Sequence, residues 1–186
     1  MNTRLQVEHP VTEATSGIDI VSAQFDIAAG RSIENLAPVD QGYAIEVRVT
    51  AEKAALDSDG ILQLLPNPGQ ITECILPERD DIEIISIAAQ DKEVSPYYDS
   101  LIAQIICRGE SREDVVTKLY DYLDTVVIKG ITTNIPLLKL ILKDGTFNEG
   151  VYDTNYLPRF MAELDIPALI ADMEKAADTK GVDTAS

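Results

Sequence analysis

The stretch Gly42–Glu52, GYAIEVRVTAE, decides the class of fold. Successive side chains of an extended chain point to opposite faces, so Tyr43, Ile45, Val47 and Val49 share one side and Ala44, Glu46, Arg48 and Thr50 the other. An apolar face opposite a polar one predicts a half-buried strand. Downstream, residues 56–89 carry three short β-rich runs separated by Asp59-Gly60, by Pro66-Asn67-Pro68-Gly69 and by the polar stretch from Pro77 to Asp81. Each separator is a turn signal, which makes the run antiparallel sheet rather than parallel strands with helical crossovers. YYDSLIAQIICRG, residues 97–109, adds a further, largely apolar strand.

Helices flank this sheet region. SREDVVTKLYDYLDTVVI, residues 111–128, reads as a helix with Ser111 as N-cap, Asp114 in the first turn, and a buried stripe of Val115, Val116, Leu119, Leu123 and Val126. Shorter helices are expected over 134–142, with Pro136 in the first turn, over 154–164 and over 167–177. The tail TKGVDTAS, residues 179–186, is expected to be disordered. Upstream, GIDIVSAQFDIAAG, residues 17–30, spaces Ile18, Val21, Phe25 and Ala28 as one amphipathic helix, and RSIENLAPVDQ with Pro38 reads as a connector. Strands followed by helices, without βαβ alternation, predict an α+β fold, an antiparallel β-sheet with packed helices.

Composition narrows the function. The chain has 186 residues with 32 acidic and 15 basic side chains, a formal charge of −17. That charge repels nucleic acid and anionic lipid, so neither is expected as a partner. No apolar run approaches the roughly 18 residues of a membrane span, and the N-terminus is polar from its second residue, so a cytoplasmic protein is expected. Cys74 and Cys107 each lie in an apolar stretch without metal-ligand spacing, and read as reduced core residues. The single histidine is His9, and neither a nucleophile elbow nor a glycine-rich phosphate loop occurs.

The chemistry therefore concentrates in MNTRLQVEHPVTE, residues 1–13. Asn2, Arg4, Gln6 and Glu8 alternate, and on an extended strand they share one face. Spacing alone also allows plainer readings: an exposed Arg4–Glu8 ion pair, and for Arg48 a cross-strand salt bridge. His9 precedes Pro10, which disfavours helix there, and reads as structural.

Residues 1–30 resemble the last segment of the ATP-grasp domain in biotin carboxylases, the enzymes or subunits that open the acetyl-CoA, propionyl-CoA and pyruvate carboxylase reactions. GYAIEVRVTAE, LLPNPGQIT, SPYYDSLIAQII, GITTN and GVYDTNYL resemble, in order, the C-terminal domain of that family. The resemblance implies that residues 1–37 end an ATP-grasp domain, that 38–164 form the C-terminal domain, and that 165–186 are a helix and flexible tail. It assigns bicarbonate to Arg4, Gln6 and the Val7 backbone N–H, with Glu8 as the general base that deprotonates it for attack on ATP. Arg48 would steady the enolate form of biotin. Asn2 would stand beside the metal ions, Mg2+ or Mn2+, that bridge the nucleotide phosphates. Thr154 would close over the adenine pocket, although a helix N-cap is the simpler reading.

The implied partners are upstream ATP-grasp domains, a biotin carboxyl carrier domain, a carboxyltransferase and a second copy in a homodimer. Because the phosphate lid and acidic metal ligands lie upstream in the family, the chain alone is expected to be an inactive fragment without tightly bound cofactor. Two other readings remain open: a stand-alone assembly module using Tyr97–Asp99, which otherwise shape packing or a subunit contact, and an ATP-grasp ligase for another substrate. The sequence departs from the family at 76–95, where a subunit contact is often made, and in the loop 54–60. It also has Gln104 in place of the usual lysine after Leu-Ile-Ala.

Overall fold

The alternation at residues 42–52 is realised as a strand in the computed structural model, which describes residues 2–178. Met1 and the expected flexible tail, 179–186, lie outside the described residues. Two helices come first, α1 (His9–Ser16) and α2 (Ile20–Ala28), followed by β1 (Tyr43–Thr50), β2 (Glu52–Leu56), β3 (Leu62–Pro66), β4 (Gly69–Gln70) and β5 (Glu73–Ile75). Then come β6 (Ile82–Ser86), β7 (Glu93–Val94), β8 (Leu101–Gly109), α3 (Arg112–Thr125) and β9 (Val127–Lys129). The chain closes with α4 (Ile135–Lys143), α5 (Gly145–Glu149), α6 (Tyr156–Ala162) and α7 (Ile166–Ala177).

Every strand pairing is antiparallel, as the turn signals require. The strands divide among a central sheet of order β1-β8-β6 and three two-stranded pairs, β2-β3, β4-β7 and β5-β9. β8 takes the centre because it is apolar on both sides: Ile102, Ala103, Ile105, Ile106 and Cys107 are all buried. Burial pushes the Cys107 thiol up to about 11, and Cys74 on β5 is also pushed up by burial, so both behave as the expected core hydrophobes.

Each face of the sheet has its own cover. Val47, Val49, Ile105 and Cys107 pack with Val115 and Leu119 of α3 in the main core. α1 lies against β1 and β8, and its buried residues, Pro10 and Ala14, are outside that core, which places α1 on the opposite face. A second core joins the β2-β3 hairpin to α4 and α7 through Ala54, Leu62, Leu137, Leu169 and Met173.

α3 follows the reading as far as Thr125; Val126, expected in the helical stripe, is instead the extended, half-buried C-cap, and Val127 and Ile128 enter β9. Ser111 Oγ accepts the Asp114 N–H at 3.1 Å, and Val115, Val116, Leu119 and Leu123 are buried. Tyr122 joins them, its hydroxyl donating to the Pro77 carbonyl at 3.0 Å, which meets the requirement of a buried phenol for a partner. Three further expectations are corrected. Residues 2–8 form no strand, and a helix begins at His9, because Pro10 in the first turn gives up an N–H that no helix would have bonded. The helix expected over residues 17–30 is shorter, Ile20–Ala28, and its apolar side finds no cover: Phe25 is 73 % exposed and no residue of the helix is buried. Thr154 does not cap α6, whose N-cap is Asn155.

Candidate active site

The register of β1 against β8 sets the site. Arg48 lies opposite Gln104 and Glu46 opposite Ile106, so these four share the face covered by α1. Gln104 Nε2 donates to Glu46 Oε1 at 3.0 Å and to the Val7 carbonyl at 2.8 Å. One side-chain amide therefore ties the loop before α1 to the sheet. The turn is closed by His9, whose backbone N–H donates to the Gln6 carbonyl at 3.2 Å and whose Nδ1 lies 2.8 Å from the same oxygen. A carbonyl can only accept, so the proton is on Nδ1. His9 Nε2 is 4.0 Å from Glu13, which also accepts the Ile20 N–H and joins α1 to α2. The structural reading of His9 holds.

On this loop Asn2, Arg4, Val7 and Glu8 are exposed and Gln6 is half-buried. Arg4 Nη1 donates to the carbonyl of its neighbour Leu5 at 3.1 Å, and Gln6 Nε2 reaches the Asn2 carbonyl at 3.4 Å. Among the described residues there is no Arg4–Glu8 ion pair, and neither the Glu8 carboxylate nor the Arg48 guanidinium makes a hydrogen bond or ion pair. Both plainer readings, the surface ion pair and the cross-strand salt bridge, are thereby excluded. Arg48 and Glu8 act on the nearby Glu46 carboxyl only through their charge, and both stay exposed, able to meet an anion and its proton.

The backbone of Arg48 is fixed from below. Asn134 Nδ2 donates to the Arg48 carbonyl at 2.9 Å, Asn134 Oδ1 accepts the Thr50 N–H at 3.0 Å, and the Asn134 N–H reaches the Thr50 carbonyl at 3.2 Å. The side-chain amide thus continues the ladder along the outer edge of β1. It arrives there through Gly130, whose φ of +92° and close approach to the Gln70 carbonyl and Thr72 amide exclude a side chain. Asn134 is 8 % exposed, so its replacement by Ala strands a buried donor and a buried acceptor. Asn134→Ala is expected to lower stability by about 1–3 kcal/mol, read as a shift of the urea midpoint without change in m-value.

Glu46 is the electrostatic centre of the face. Burial pushes its carboxyl above the usual range and the neighbouring Glu8 charge acts in the same direction, opposed by the Gln104 hydrogen bond, Arg48 and His9. Its Oε2 is buried and without a partner.

The other candidates lie elsewhere or contribute less. Thr154 is exposed in the turn leading to α6, beside the Asp153–Arg159 ion pair. Tyr97 and Tyr98 are 89 % and 84 % exposed, so they shape no packing, while Asp99 Oδ1 accepts the Leu101 N–H at 2.8 Å and closes their turn. Among the described residues no group of three or more His, Cys, Asp or Glu could hold a metal ion. Asn2 offers one neutral oxygen, so these residues alone do not fit a divalent cation. Sequence reading missed the roles of Gln104, Asn134 and Glu46; for the first, the available signal was an amide inside the otherwise apolar run Leu101–Cys107.

Residues 46–159 match the family described as Biotin carboxylase C-terminal domain, and residues 1–36 match the Carbamoyl-phosphate synthase L chain, ATP binding domain. Biotin carboxylase 2 of Bacillus subtilis is 39 % identical over 163 residues, covering 87 % of this chain and 35 % of the relative. The mitochondrial propionyl-CoA carboxylase alpha chain of Caenorhabditis briggsae is 37 % identical over 167 residues, covering 88 % of this chain and 22 % of the relative. Among solved structures, the biotin carboxylase domain dimer of Hydrogenobacter thermophilus 2-oxoglutarate carboxylase, in complex with MgADP, ADP and bicarbonate, superposes with a TM-score of 0.77 at 37 % identity. That match covers 91 % of this chain and 35 % of the other. The chain thus spans about a third, or less, of the length of these relatives. A family match over more than half of its length, residues 46–159, shows that the chain belongs to the biotin carboxylase C-terminal domain family.

Proposed function

We propose that this chain supplies the bicarbonate and biotin side of a biotin carboxylase, working with upstream ATP-grasp parts on which ATP is held. The observation that carries the reading is that two exposed groups, Glu8 and Arg48, make no hydrogen bond or ion pair at the α1-covered face to which Gln104 ties the loop. The relative solved with bicarbonate and MgADP supports it. Residues 1–37 would complete the ATP-grasp domain, 38–164 the C-terminal domain and 165–186 a terminal helix and tail.

In this reaction the Arg4 guanidinium, the Gln6 amide and the Val7 N–H hold bicarbonate, and Glu8 takes its proton. A bicarbonate oxygen then forms a bond to the terminal phosphorus of ATP as the bond to ADP breaks, giving carboxyphosphate. As the bond from the carboxyl carbon to phosphate breaks, the departing phosphate takes the proton of biotin's ring nitrogen, and that nitrogen forms the new bond to the carboxyl carbon. Arg48 holds the negative charge that develops on the ureido oxygen in that step. Thr154 bounds the adenine pocket. Asn2 stands next to the metal site without forming it.

The partners that fit are a biotin carboxyl carrier domain and a carboxyltransferase, in the cytoplasm. A homodimer fits the open edge of β6, beside which Ile85 and Ile87 are 44 % and 65 % exposed. No helix among the described residues is long and apolar enough to cross a membrane. A second reading, an assembly module that binds carboxylase partners, is favoured by the exposed Tyr97–Tyr98 pair.

Joining this chain to the upstream ATP-grasp parts of a related biotin carboxylase tests the reading. The expected result is ATP hydrolysis that requires bicarbonate and is stimulated by free biotin. Hydrolysis indifferent to bicarbonate in a folded protein would point to a ligase of another substrate. Specific capture of a carboxylase partner without hydrolysis would point to the assembly module.

A further inference from the structure

We propose that Gln104 and Glu46 are a positioning pair, a clamp that docks the Val7–Glu8 end of the loop onto the sheet beside Arg48. The inference rests on the carboxylase reading only for its kinetic consequence. The geometry is particular to an amide. Gln104 has two N–H donors on one nitrogen, and they serve two acceptors from different parts of the chain, the Val7 carbonyl at 2.8 Å and Glu46 Oε1 at 3.0 Å. Residues 2–8 have no strand partner among the described residues, so this is the side chain that ties them to the sheet. Ala14 and Pro10 secure α1 by burial, but burial does not fix where the exposed Glu8 stands relative to Arg48. The clamp supplies that register.

The second half of the argument is the oxygen left over. Glu46 Oε2 is buried without a partner. The charged groups that act on its carboxyl are Arg48 on its own strand and Glu8 and His9 at the start of α1; Glu13 lies one turn on beside His9, and Arg108, further along β8, is paired to Glu83 of β6. None of them donates to Oε2. A lysine at position 104, usual in the family, would place a full positive charge against this carboxylate; Gln104 leaves it half-satisfied. Burial raises the Glu46 pKa in the fold, so its contribution to stability is fully present below the unfolded carboxylate value and is lost as pH rises through the folded value. The Gln104 hydrogen bond works against that burial and favours the carboxylate, so the Gln104–Glu46 contact strengthens as Glu46 ionises, while ionisation adds a second negative charge next to Glu8.

Amide hydrogen exchange and carboxyl-carbon NMR on the 186-residue chain test the clamp without any substrate. Gln104→Leu keeps the size and removes both donors. It is expected to speed exchange over residues 5–16 at least tenfold while α3 is unchanged, and to move the Glu46 titration midpoint upward. Gln104→Lys keeps donors and is expected to restore slow exchange while moving the midpoint downward. In the chain joined to ATP-grasp parts, Gln104→Leu should lower kcat for bicarbonate-dependent hydrolysis about tenfold with KM for ATP unchanged, and Gln104→Lys should recover it. Unchanged exchange over 5–16 in Gln104→Leu, or faster exchange spread equally through α3, would overturn the clamp. If exchange and titration respond as stated but no bicarbonate-dependent hydrolysis exists, the clamp stands and the carboxylase reading fails.

Discussion

Glu8→Gln, in this chain joined to its ATP-grasp parts, is expected to reduce bicarbonate-dependent ATP hydrolysis and biotin carboxylation together, by about 10²–10⁴-fold, the usual worth of a positioned general base. The amide matches the carboxylate in shape, so the loop geometry and the Gln104 contact to the Val7 carbonyl remain. What is lost is the proton acceptor. Glu8 has no internal hydrogen bond or ion pair to be broken, so the substitution leaves no stranded partner and should shift the unfolding midpoint little. In the proposed reaction carboxyphosphate forms before biotin enters, so both activities are expected to fall in parallel. The check is steady-state hydrolysis with and without free biotin, alongside direct carboxylation of biotin. Retention of hydrolysis with loss of carboxylation alone would assign Glu8 to the later step, and retention of both would remove it from the chemistry.

How far the sequence discloses this arrangement depends on where each contact comes from. β1 was readable because one residue in two is apolar and its face meets the core within the same domain: Val47 and Val49 are buried and Arg48 is exposed. α3 was readable because its cap and stripe are local, with Ser111 bonding three residues on. The loop of residues 2–8 was not. Its polar alternation copies a strand, but a strand needs a partner ladder, and here the tie to the sheet is one amide 97 residues away. No periodicity contains that contact. Asn134 was hidden for the same reason, since its work is to extend the edge of β1 at a separation of 84 residues. The stripe of α2 was legible as a helix and misleading as a core element: Val21, Phe25 and Ala28 have the right spacing, but Phe25 and Ala28 are exposed and Val21 is only half-buried. Spacing reports amphipathicity, whereas burial depends on what stands opposite.

Arg48→Ala separates the two half-reactions that Glu8→Gln joins. Truncating Arg48 removes an exposed guanidinium without hydrogen bond or ion pair among the described residues, while Asn134 goes on holding the backbone at that position through the carbonyl, 2.9 Å away. In the proposed reaction bicarbonate is held by Arg4, Gln6 and Val7 and not by Arg48, so bicarbonate-dependent ATP hydrolysis is expected to stay within a few-fold. Carboxylation of biotin should fall by about 10²–10³-fold, the cost typical of removing one donor aimed at a developing oxyanion. Arg48→Lys should recover only part of the loss, because an ammonium keeps the charge but not the planar fork that can meet two oxygens at once. Equal loss of both activities would instead place Arg48 in the bicarbonate step or in the architecture of the face. The second possibility is read independently: if Arg48→Ala left Glu46 and the Val7 contact undisturbed, slow exchange over residues 5–16 would persist. A selective kinetic loss with that exchange unchanged assigns the guanidinium to biotin's developing charge, and nothing in the packing of β1 would produce the same pattern.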